Sequence, residues 1–289
     1  MPVPYSFRAV TDLSAGDYSL VGRLGVTARS APGEFVLEVD PRPAIMHHGL
    51  VRASVLSFLV DAVAGIMVDD QPDHWTLTSD MSVRVRPDMV TEGIEAVGQV
   101  LRQGRRSVVC QVELRTVPSG RPIGTGAVGF ARVPRRPGDP PKPRVTPTAF
   151  ASLFDGKGTI ARPLREEAGI ESVDPANGEV RITVTRELRN PAGTLQGALV
   201  ALVAEAAAED LVTTRFGLPA VVTDLDLRYL AQAQVGPIRT RGRLLGSEPG
   251  SPVEIELVDT SAQRLTTHVY ARCGRVGPEE AMVRRSSGR

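Results

Sequence analysis

The sequence contains very little cysteine and few aromatic residues. Its 289 residues include two cysteines, four histidines and an aromatic fraction of 4%. Cys110 and Cys273 lie too far apart in the sequence for the usual metal-ligand pair, and the histidines form no HxxxH array. We therefore expect no metal site and no bound cofactor.

An excess of charge of one sign and a long hydrophobic run are also missing. Thirty-four basic residues against 33 acidic ones leave a net charge of +1, which gives no broad attraction to nucleic acid or an anionic membrane. No apolar run approaches the roughly 20 residues that span a bilayer, and the first residues do not resemble a signal peptide. Together with the sparse cysteine, this predicts a cytoplasmic protein with neither nucleic-acid nor membrane partners.

The chain is longer than the roughly 100 to 200 residues of a typical domain, and it contains an internal repeat. An ungapped shift of 144 positions places MHHGLVRASVLSFLVDAVAG (46–65) over NPAGTLQGALVALVAEAAAE (190–209). The same shift places LTSDMSVRVR (77–86) over VVTDLDLRYL (221–230). One register that spans helix-like and strand-like segments predicts a duplicated domain.

Each repeat combines one long apolar helix with a series of strands. Segments 50–68 and 194–214 are apolar nearly all round, which predicts two buried helices. Alternating or β-branched-rich segments predict strands at 34–39, 76–86, 94–102, 107–117 and 123–133, and again at 179–187, 220–230, 238–246, 252–260 and 264–275. We expect an α+β fold in which a sheet wraps each helix and the two sheets join edge to edge.

A proline- and arginine-rich segment separates the repeats. Its prolines lack amide donors and favour an extended chain, as a semi-rigid linker requires. We therefore predict a first domain at 1–133, a linker at 134–148, a second domain at 149–276 and a flexible tail at 277–289.

The start of the second helix carries a motif, Asn190-Pro-Ala-Gly193-Thr-Leu-Gln196-Gly197-Ala, with Glu205 nine residues after Gln196. It resembles the Asn-x-x-Gly-x-x-His/Gln-Gly-Gly pattern, followed by a carboxylate, of the hotdog-fold thioesterases of the phenylacetate and 4-hydroxybenzoyl-CoA type. The resemblance covers most of both halves. It implies a double hotdog, two tandem repeats that each wrap an antiparallel sheet around a long central helix. It also implies hydrolysis of acyl-CoA in lipid metabolism, with coenzyme A present only as part of the substrate.

In that family, amides at the helix start polarise the thioester carbonyl, and a carboxylate of the partner subunit activates water or attacks. The physics of a helix start agrees with this role, because it offers unpaired N–H groups and a positive dipole end. Glycine there lets a carbonyl approach without a Cβ in the way. Whether the carboxylate acts as general base or as nucleophile stays open.

If amide and carboxylate come from opposite repeats, the chain has two unequal composite sites. One combines Asn190, Gln196 and Gly197 with Asp61 and Thr78. The other combines Met46, Arg52 and Ala53 with Glu205 and Val222, and it is poor in useful polar groups. We predict one active site, with Gln196 in substrate binding and a catalytic set of Asp61, Gly197, Asn190, Thr78 and, as a second carboxylate, Glu205.

Each candidate has a structural alternative. Asp61 could be a paired core carboxylate, Asn190 could cap a turn, and Gly197 could be small to let the helices pack closely. Glu205 could lie near the wetter end of its helix. His47 and His48 precede the first helix, where a solvated or capping role is the expected one.

A basic turn contains Arg102, Arg105 and Arg106, which could bind the phosphates of coenzyme A. A simply solvated turn is the alternative. Two other functions stay open: a non-catalytic acyl-CoA sensor or scaffold, and a hotdog hydratase or dehydratase, whose Asp-x5-His or His-plus-Glu dyad is absent. Family analogy further suggests homo-oligomerisation of the fused pseudo-dimer.

Overall fold

One large β-sheet and two long helices make up the fold. The computed structural model describes residues 19–275 except 32–33, 70–71, 88–89, 139–141, 143–145, 153, 155–157 and 191. The predicted tail at 277–289 and part of the predicted linker lie outside the described residues.

The N-terminal half contains the helix α1, Ala53–Val68. Its strands are β1 (Val26–Ala31), β2 (Glu34–Val39), β3 (Met46–His47), β4 (Leu50–Val51), β5 (His74–Val85), β6 (Gly93–Gln103), β7 (Ser107–Val117) and β8 (Pro122–Pro134). The two-residue strands β3 and β4 pair only with each other. Because they occupy the start of the predicted helical segment, α1 begins three residues later than the sequence predicts.

Two short helices, α2 (Pro147–Ala151) and α3 (Leu164–Glu167), connect the halves. The C-terminal half then contains β9 (Glu171–Asp174), β10 (Glu179–Ile182), the helix α4 (Gly197–Phe216), β11 (Ala220–Tyr229), β12 (Ile238–Leu244), β13 (Val253–Asp259) and β14 (Arg264–Arg275). The strand predicted at 179–187 ends at Ile182, and a 3-10 turn at Arg186–Leu188 leads toward α4.

Twelve strands form one sheet in the order β1-β2-β6-β7-β8-β5-β11-β14-β13-β12-β10-β9. All of these neighbours pair antiparallel. The sequence analysis predicted ten of the twelve strands and missed the two outermost, β1 and β9. Both are short, and each contains only one large apolar residue, Val26 in β1 and Val173 in β9, which is too weak a pattern to mark a strand.

The two halves of the sheet meet where β5 pairs with β11. Met81 lies opposite Leu227 and Val83 lies opposite Leu225, and all four side chains are fully buried. Arg84 lies 2.7 Å from the Asp226 carboxylate across the same joint. Each half thereby covers an edge strand of the other, as the sequence predicts.

The helices α1 and α4 pack against each other, α1 on strands of the N-terminal half and α4 on strands of the C-terminal half. Most of their residues are buried, in agreement with their apolar circumference. No helix in the described part of the chain is long and apolar enough to cross a membrane.

The residues after the predicted linker pack on the N-terminal half. Phe150 and Phe154 lie with their ring centroids 6.0 Å from those of Phe35 and Phe58, respectively. The beginning of the predicted second domain, 149–276, therefore contributes to the core around α1. The domain boundaries themselves stay a prediction.

The joint between β5 and β11 gives a test of the fold. Leu227→Ala should lower the free energy of unfolding by about 2–5 kcal/mol, because truncation of a buried leucine leaves a cavity. Leu230→Ala is the matched control, since Leu230 is 53% exposed, and it should change stability by less than about 0.5 kcal/mol. Urea denaturation of both variants measures the difference; equal effects would contradict this account of the joint.

Candidate active site

Asp61 lies in the middle of α1 and faces β5. Its Oδ1 accepts a hydrogen bond of 2.8 Å from the Thr78 hydroxyl. Burial raises the pKa of Asp61, and the bond from Thr78 lowers it in part. No cation within the described ranges forms an ion pair with Asp61, so the structure offers no support for a paired core carboxylate. A partly buried carboxylate without a countercharge is typical of functional sites.

Gly197, the first residue of α4, lies next to Asp61. If residue 197 had a Cβ, that atom would stand 3.7 Å from Asp61 Oδ2 and 3.5 Å from the Tyr229 hydroxyl. Both distances are ordinary van der Waals contacts, so packing within the protein does not require glycine here. The start of α4 therefore lies beside one carboxylate oxygen and one phenol hydroxyl.

The start of α4 leaves one amide unpaired. The Gln196 side-chain oxygen caps the helix, accepting from the Ala198 amide at 2.5 Å and from the Leu199 amide at 3.3 Å. The amide of Gly197 has no acceptor among the residues that the structure describes. It stands at the positive end of the helix dipole, where an anionic oxygen binds favourably. Gln196 thus orients the helix start through its cap.

Asn190 organises the loop before α4. Its side-chain oxygen accepts from the amides of Ala192 and Thr194 at 3.0 and 3.1 Å. The Asn190 amide donates to the Thr194 carbonyl at 2.8 Å. These bonds match the turn-capping role that the sequence left open for Asn190.

Tyr229, which the sequence analysis did not select, lies at the same helix start. It ends β11, and its hydroxyl donates to the Gly197 carbonyl at 3.4 Å. Burial and the nearby Asp61 charge raise the pKa of Tyr229 well above 10. A signal existed in the repeat, because Tyr229 aligns with Val85 in the same register and is the polar member of that pair.

The start of α1 is arranged differently. Glu205 of α4 accepts from the Ala53 amide at 2.8 Å with one oxygen and from the Ser54 hydroxyl at 2.5 Å with the other. Arg52 lies 3.6 Å from Glu205 and 3.1 Å from Glu209. All of these side chains are buried. We call Arg52, Ala53, Ser54, Glu205 and Glu209 the closed cluster.

The two helix starts differ because their carboxylates differ by one methylene. Ala53 corresponds to Gly197 in the repeat, and Glu205 corresponds to Asp61. Glu205 is long enough to accept a hydrogen bond from the Ala53 amide, whereas Asp61 does not accept one from the Gly197 amide. The structure thus brings Asp61, Thr78 and Gly197 together and places Glu205 in the closed cluster.

Burial shifts the protonation of the closed cluster. It raises the pKa of Glu209 to about 8, aided by the charge of Glu205 and opposed by Arg52. His47 lies 3.4 Å from Glu209, and burial together with Arg52 lowers the pKa of His47 to about 3. His47 is therefore a neutral neighbour of this cluster at neutral pH.

The predicted basic turn joins β6 and β7, and Arg102, Arg105 and Arg106 are exposed there. Thr78 pairs with Phe130 on β8, which pairs in turn with Val108 on β7, just after this turn. Val108 is therefore two strand spacings, about 10 Å, from Thr78. The turn lies at the same end of the sheet as Thr78.

The sequence matches no known protein family, and no curated protein is significantly similar to it. Solved structures are similar in fold. An acyl-ACP thioesterase from Bacteroides thetaiotaomicron is 11% identical, with a TM-score of 0.57. The superposition covers 88% of this chain and 99% of the thioesterase. The tesB protein of Mycobacterium avium subspecies paratuberculosis is 14% identical with a TM-score of 0.57, covering 89% and 98%.

A conserved protein from Alicyclobacillus acidocaldarius, described as having a hot dog fold, is 11% identical with a TM-score of 0.55, covering 89% of this chain and 98% of its own. Similarity at this level of identity establishes fold. The chain therefore has a hotdog fold over most of its length.

The closed cluster predicts a pH dependence of stability. The folded-state pKa of Glu209, about 8, lies above its ordinary value of 4.5, so the folded state binds the extra proton and loses stability as pH rises through this window. Glu209→Gln removes that loss. The thermal midpoint of Glu209→Gln relative to wild type should rise between pH 6.5 and 8, and the titration of His47 largely cancels because both proteins contain it. A difference that does not change with pH would contradict the assignment.

Proposed function

We propose that the protein hydrolyses acyl-CoA thioesters to free acid and coenzyme A. The reaction takes place at the composite site, which comprises Asp61 and Thr78 from one half and Asn190, Gln196 and Gly197 from the other. The observation that carries the proposal is that the unpaired amide at the start of α4 lies beside Asp61, a carboxylate without a countercharge. Structural neighbours that are themselves named thioesterases support the same chemistry.

The proposal includes a tandem arrangement of two hotdog units. The shift of 144 positions carries α1 onto α4 and β5 onto β11, and the strand order on one side of the joint repeats in reverse on the other. The motif from Asn190 to Gly197 favours the phenylacetate and 4-hydroxybenzoyl-CoA type. Further association of such units stays a prediction.

The chemistry follows from the positions of the groups. The thioester carbonyl oxygen accepts from the Gly197 amide, which stabilises the negative charge that develops on that oxygen. One such donor contributes about 2.7–4 kcal/mol to the transition state. Water, or the Asp61 carboxylate, attacks the carbonyl carbon. If the carboxylate attacks, the carbon–sulfur bond breaks, the thiolate leaves, and water then hydrolyses the mixed anhydride to the free acid and restores Asp61. If water attacks, Asp61 accepts its proton, the carbon–sulfur bond breaks and the thiolate leaves.

Asp61 suits this role because of its surroundings. Burial raises its pKa and makes its carboxylate a stronger base than an exposed aspartate. Thr78 donates to Oδ1 and so leaves Oδ2, the oxygen nearer Gly197, free to face substrate. The Thr78 bond also favours the ionised form, which general-base or nucleophilic action requires.

Arg102, Arg105 and Arg106 are proposed to bind the phosphates of coenzyme A. Their exposure and their place at the end of the sheet where Thr78 lies support this role. Arginine pairs with phosphate through several N–H donors at once.

The proposal assigns one active site to each chain. In the closed cluster, the Ala53 amide donates its hydrogen bond to Glu205, so it is not available to a substrate carbonyl. Its position argues for a structural role of Glu205, in place of the catalytic one that the sequence allowed.

Paired carboxylate variants test the function. Asp61→Asn should lower kcat for acyl-CoA hydrolysis by about 10²–10⁴-fold, because the base or nucleophile is lost. Glu205→Gln is the matched control and should keep turnover within a few-fold of wild type in samples whose circular dichroism confirms folding. Thiol release from short, long and aromatic acyl-CoAs measures both. Saturable acyl-CoA binding by wild type without turnover would replace the enzyme with a sensor, and loss of activity only in Glu205→Gln would place the site at the closed cluster.

A methyl group on residue 197 should block the reaction. Gly197→Ala should leave the thermal midpoint nearly unchanged, because its Cβ meets only van der Waals contacts of 3.5 Å and beyond. It should lower kcat/KM by about 10²-fold or more, since a misplacement of about 1 Å costs that much. Gly158→Ala is the control, because nothing lies within 4 Å of its Cβ position. Full activity in Gly197→Ala would show that substrate does not approach residue 197.

A further inference from the structure

We infer that Ser79 is a positioning residue for the proposed base, because it holds a β-bulge in β5 that turns Thr78 onto Asp61. The inference rests on the proposed thioester hydrolysis and deepens it. Ser79 lies outside the set of residues that the sequence predicts for the site. It acts through Thr78 and has no contact with the reacting atoms.

At this point β5 contains one residue more than β8, the strand beside it. Thr78 pairs with Phe130 and Asp80 pairs with Gly129, so Ser79 has no residue of its own opposite it on β8. An extra residue of this kind is a β-bulge, which bends the strand and redirects a neighbouring side chain. Bulges are frequent next to active sites for that reason.

The bulge decides which hydroxyl faces α1. Met81 and Val83 are fully buried on the side of β5 that packs on α1. Because side chains alternate along a strand, a regular β5 would turn residue 79 toward the helix and residue 78 away from it. The extra residue reverses this order, and the Thr78 hydroxyl donates to Asp61 Oδ1 at 2.8 Å.

The Ser79 side chain ties the bulge to both strands. Its hydroxyl lies 2.8 Å from Asp80 Oδ2 and 3.0 Å from the Gly129 carbonyl, so it can donate to either. The facing strand fits the same geometry, since a Cβ on Gly129 would overlap the Asp80 carboxylate. These contacts favour the bulged register over the regular one.

The second repeat contains the same bulge with a different result. In β11, Val222 pairs with Cys273 and Asp224 pairs with Arg272, which leaves Thr223 as the extra residue. The Thr223 hydroxyl lies 2.9 Å from Asp224 Oδ2 and 3.4 Å from the Arg272 carbonyl. This bulge turns an aliphatic side chain inward, whereas the bulge in β5 turns a hydrogen-bond donor onto a carboxylate. The pair of bulges therefore separates the fold feature from the positioning role.

The ionisation of Asp61 depends on this donor. Burial raises the pKa of Asp61, and the bond from Thr78 lowers it. If Thr78 is held less firmly, more of Asp61 is protonated, and a protonated carboxyl is neither a base nor a nucleophile. Tyr229 is the other titratable group beside Asp61, and it keeps its proton because burial and the Asp61 charge raise its pKa. The titration of Asp61 therefore reports the position of Thr78.

Ser79→Val and Ser79→Thr are equal in shape and differ in the hydroxyl. Ser79→Val should lower kcat by about 3- to 10-fold and move the acidic limb of the kcat/KM pH profile to higher pH, because a supporting hydrogen bond is lost. Ser79→Thr carries the residue of the equivalent bulge and should return both values toward wild type. Thr223→Val is the matched control and should leave the profile unchanged. Circular dichroism and thermal midpoints establish that the variants are folded.

A double variant tests whether Ser79 acts through Thr78. When Thr78→Val is already present, the addition of Ser79→Val should neither lower kcat further nor move the acidic limb further, because the supported bond is already gone. Losses that multiply in the double variant would overturn the inference. An acidic limb that stays in place in Ser79→Val would overturn it as well.

A measurement without turnover separates this inference from the function on which it rests. The NMR shift of the Asp61 carboxyl carbon, assigned by its absence in Asp61→Asn, follows the titration directly. The pKa should be higher in Ser79→Val than in wild type and unchanged in Thr223→Val. Wild type that turns over no thioester overturns the proposed hydrolysis, and this titration still decides the role of Ser79. Turnover that is abolished in Asp61→Asn, with an unchanged Asp61 titration in Ser79→Val, leaves the hydrolysis standing and overturns the role of Ser79 alone.

Discussion

The antiparallel pairing of β5 with β11 is the interaction on which the rest of the structure depends. It joins two sets of six strands into one sheet and brings α1 and α4 side by side. The two helices run in opposite directions, so the middle of each faces the start of the other. Asp61 reaches Gly197, and Glu205 reaches Ala53, for this one geometrical reason.

A small difference in side-chain length then gives the two helix starts different properties. The longer carboxylate of Glu205 accepts from the Ala53 amide and lies against Arg52, within a buried cluster in which Arg52 Nε and Glu209 Oε1 make no hydrogen bond to any residue that the structure describes. The shorter carboxylate of Asp61 leaves both itself and the Gly197 amide incompletely satisfied. A carboxylate without a countercharge beside an unpaired helix-start amide agrees with a site that binds something else. One helix start thus lies in a buried cluster between the two helices, and the other is the proposed site of the chemistry.

The same distribution explains the electrostatics. Burial raises the pKa values of Asp61, Glu209 and Tyr229, but the neighbours of each group decide what the shift can do. Glu209 faces Glu205 and Arg52 inside a filled cluster, so its protonation affects stability. Asp61 and Tyr229 both lie beside Gly197, so their protonation states bear on the proposed chemistry.

The sequence by itself determined the elements and their duplication, because apolar helices, alternating strands and an ungapped register are local patterns. It also predicted that Asp61, Thr78 and Gly197 would meet, since the register and the family resemblance together imply cross-pairing. The edge strands β1 and β9 were not predicted because each is short and contains only one large apolar residue. Only the tertiary structure decided that Glu205 accepts the hydrogen bond of the Ala53 amide and that the Tyr229 hydroxyl lies beside Gly197. Those contacts depend on how far single side chains extend toward neighbouring elements. Such distances are set by the packed structure, and no periodic pattern in the sequence contains them.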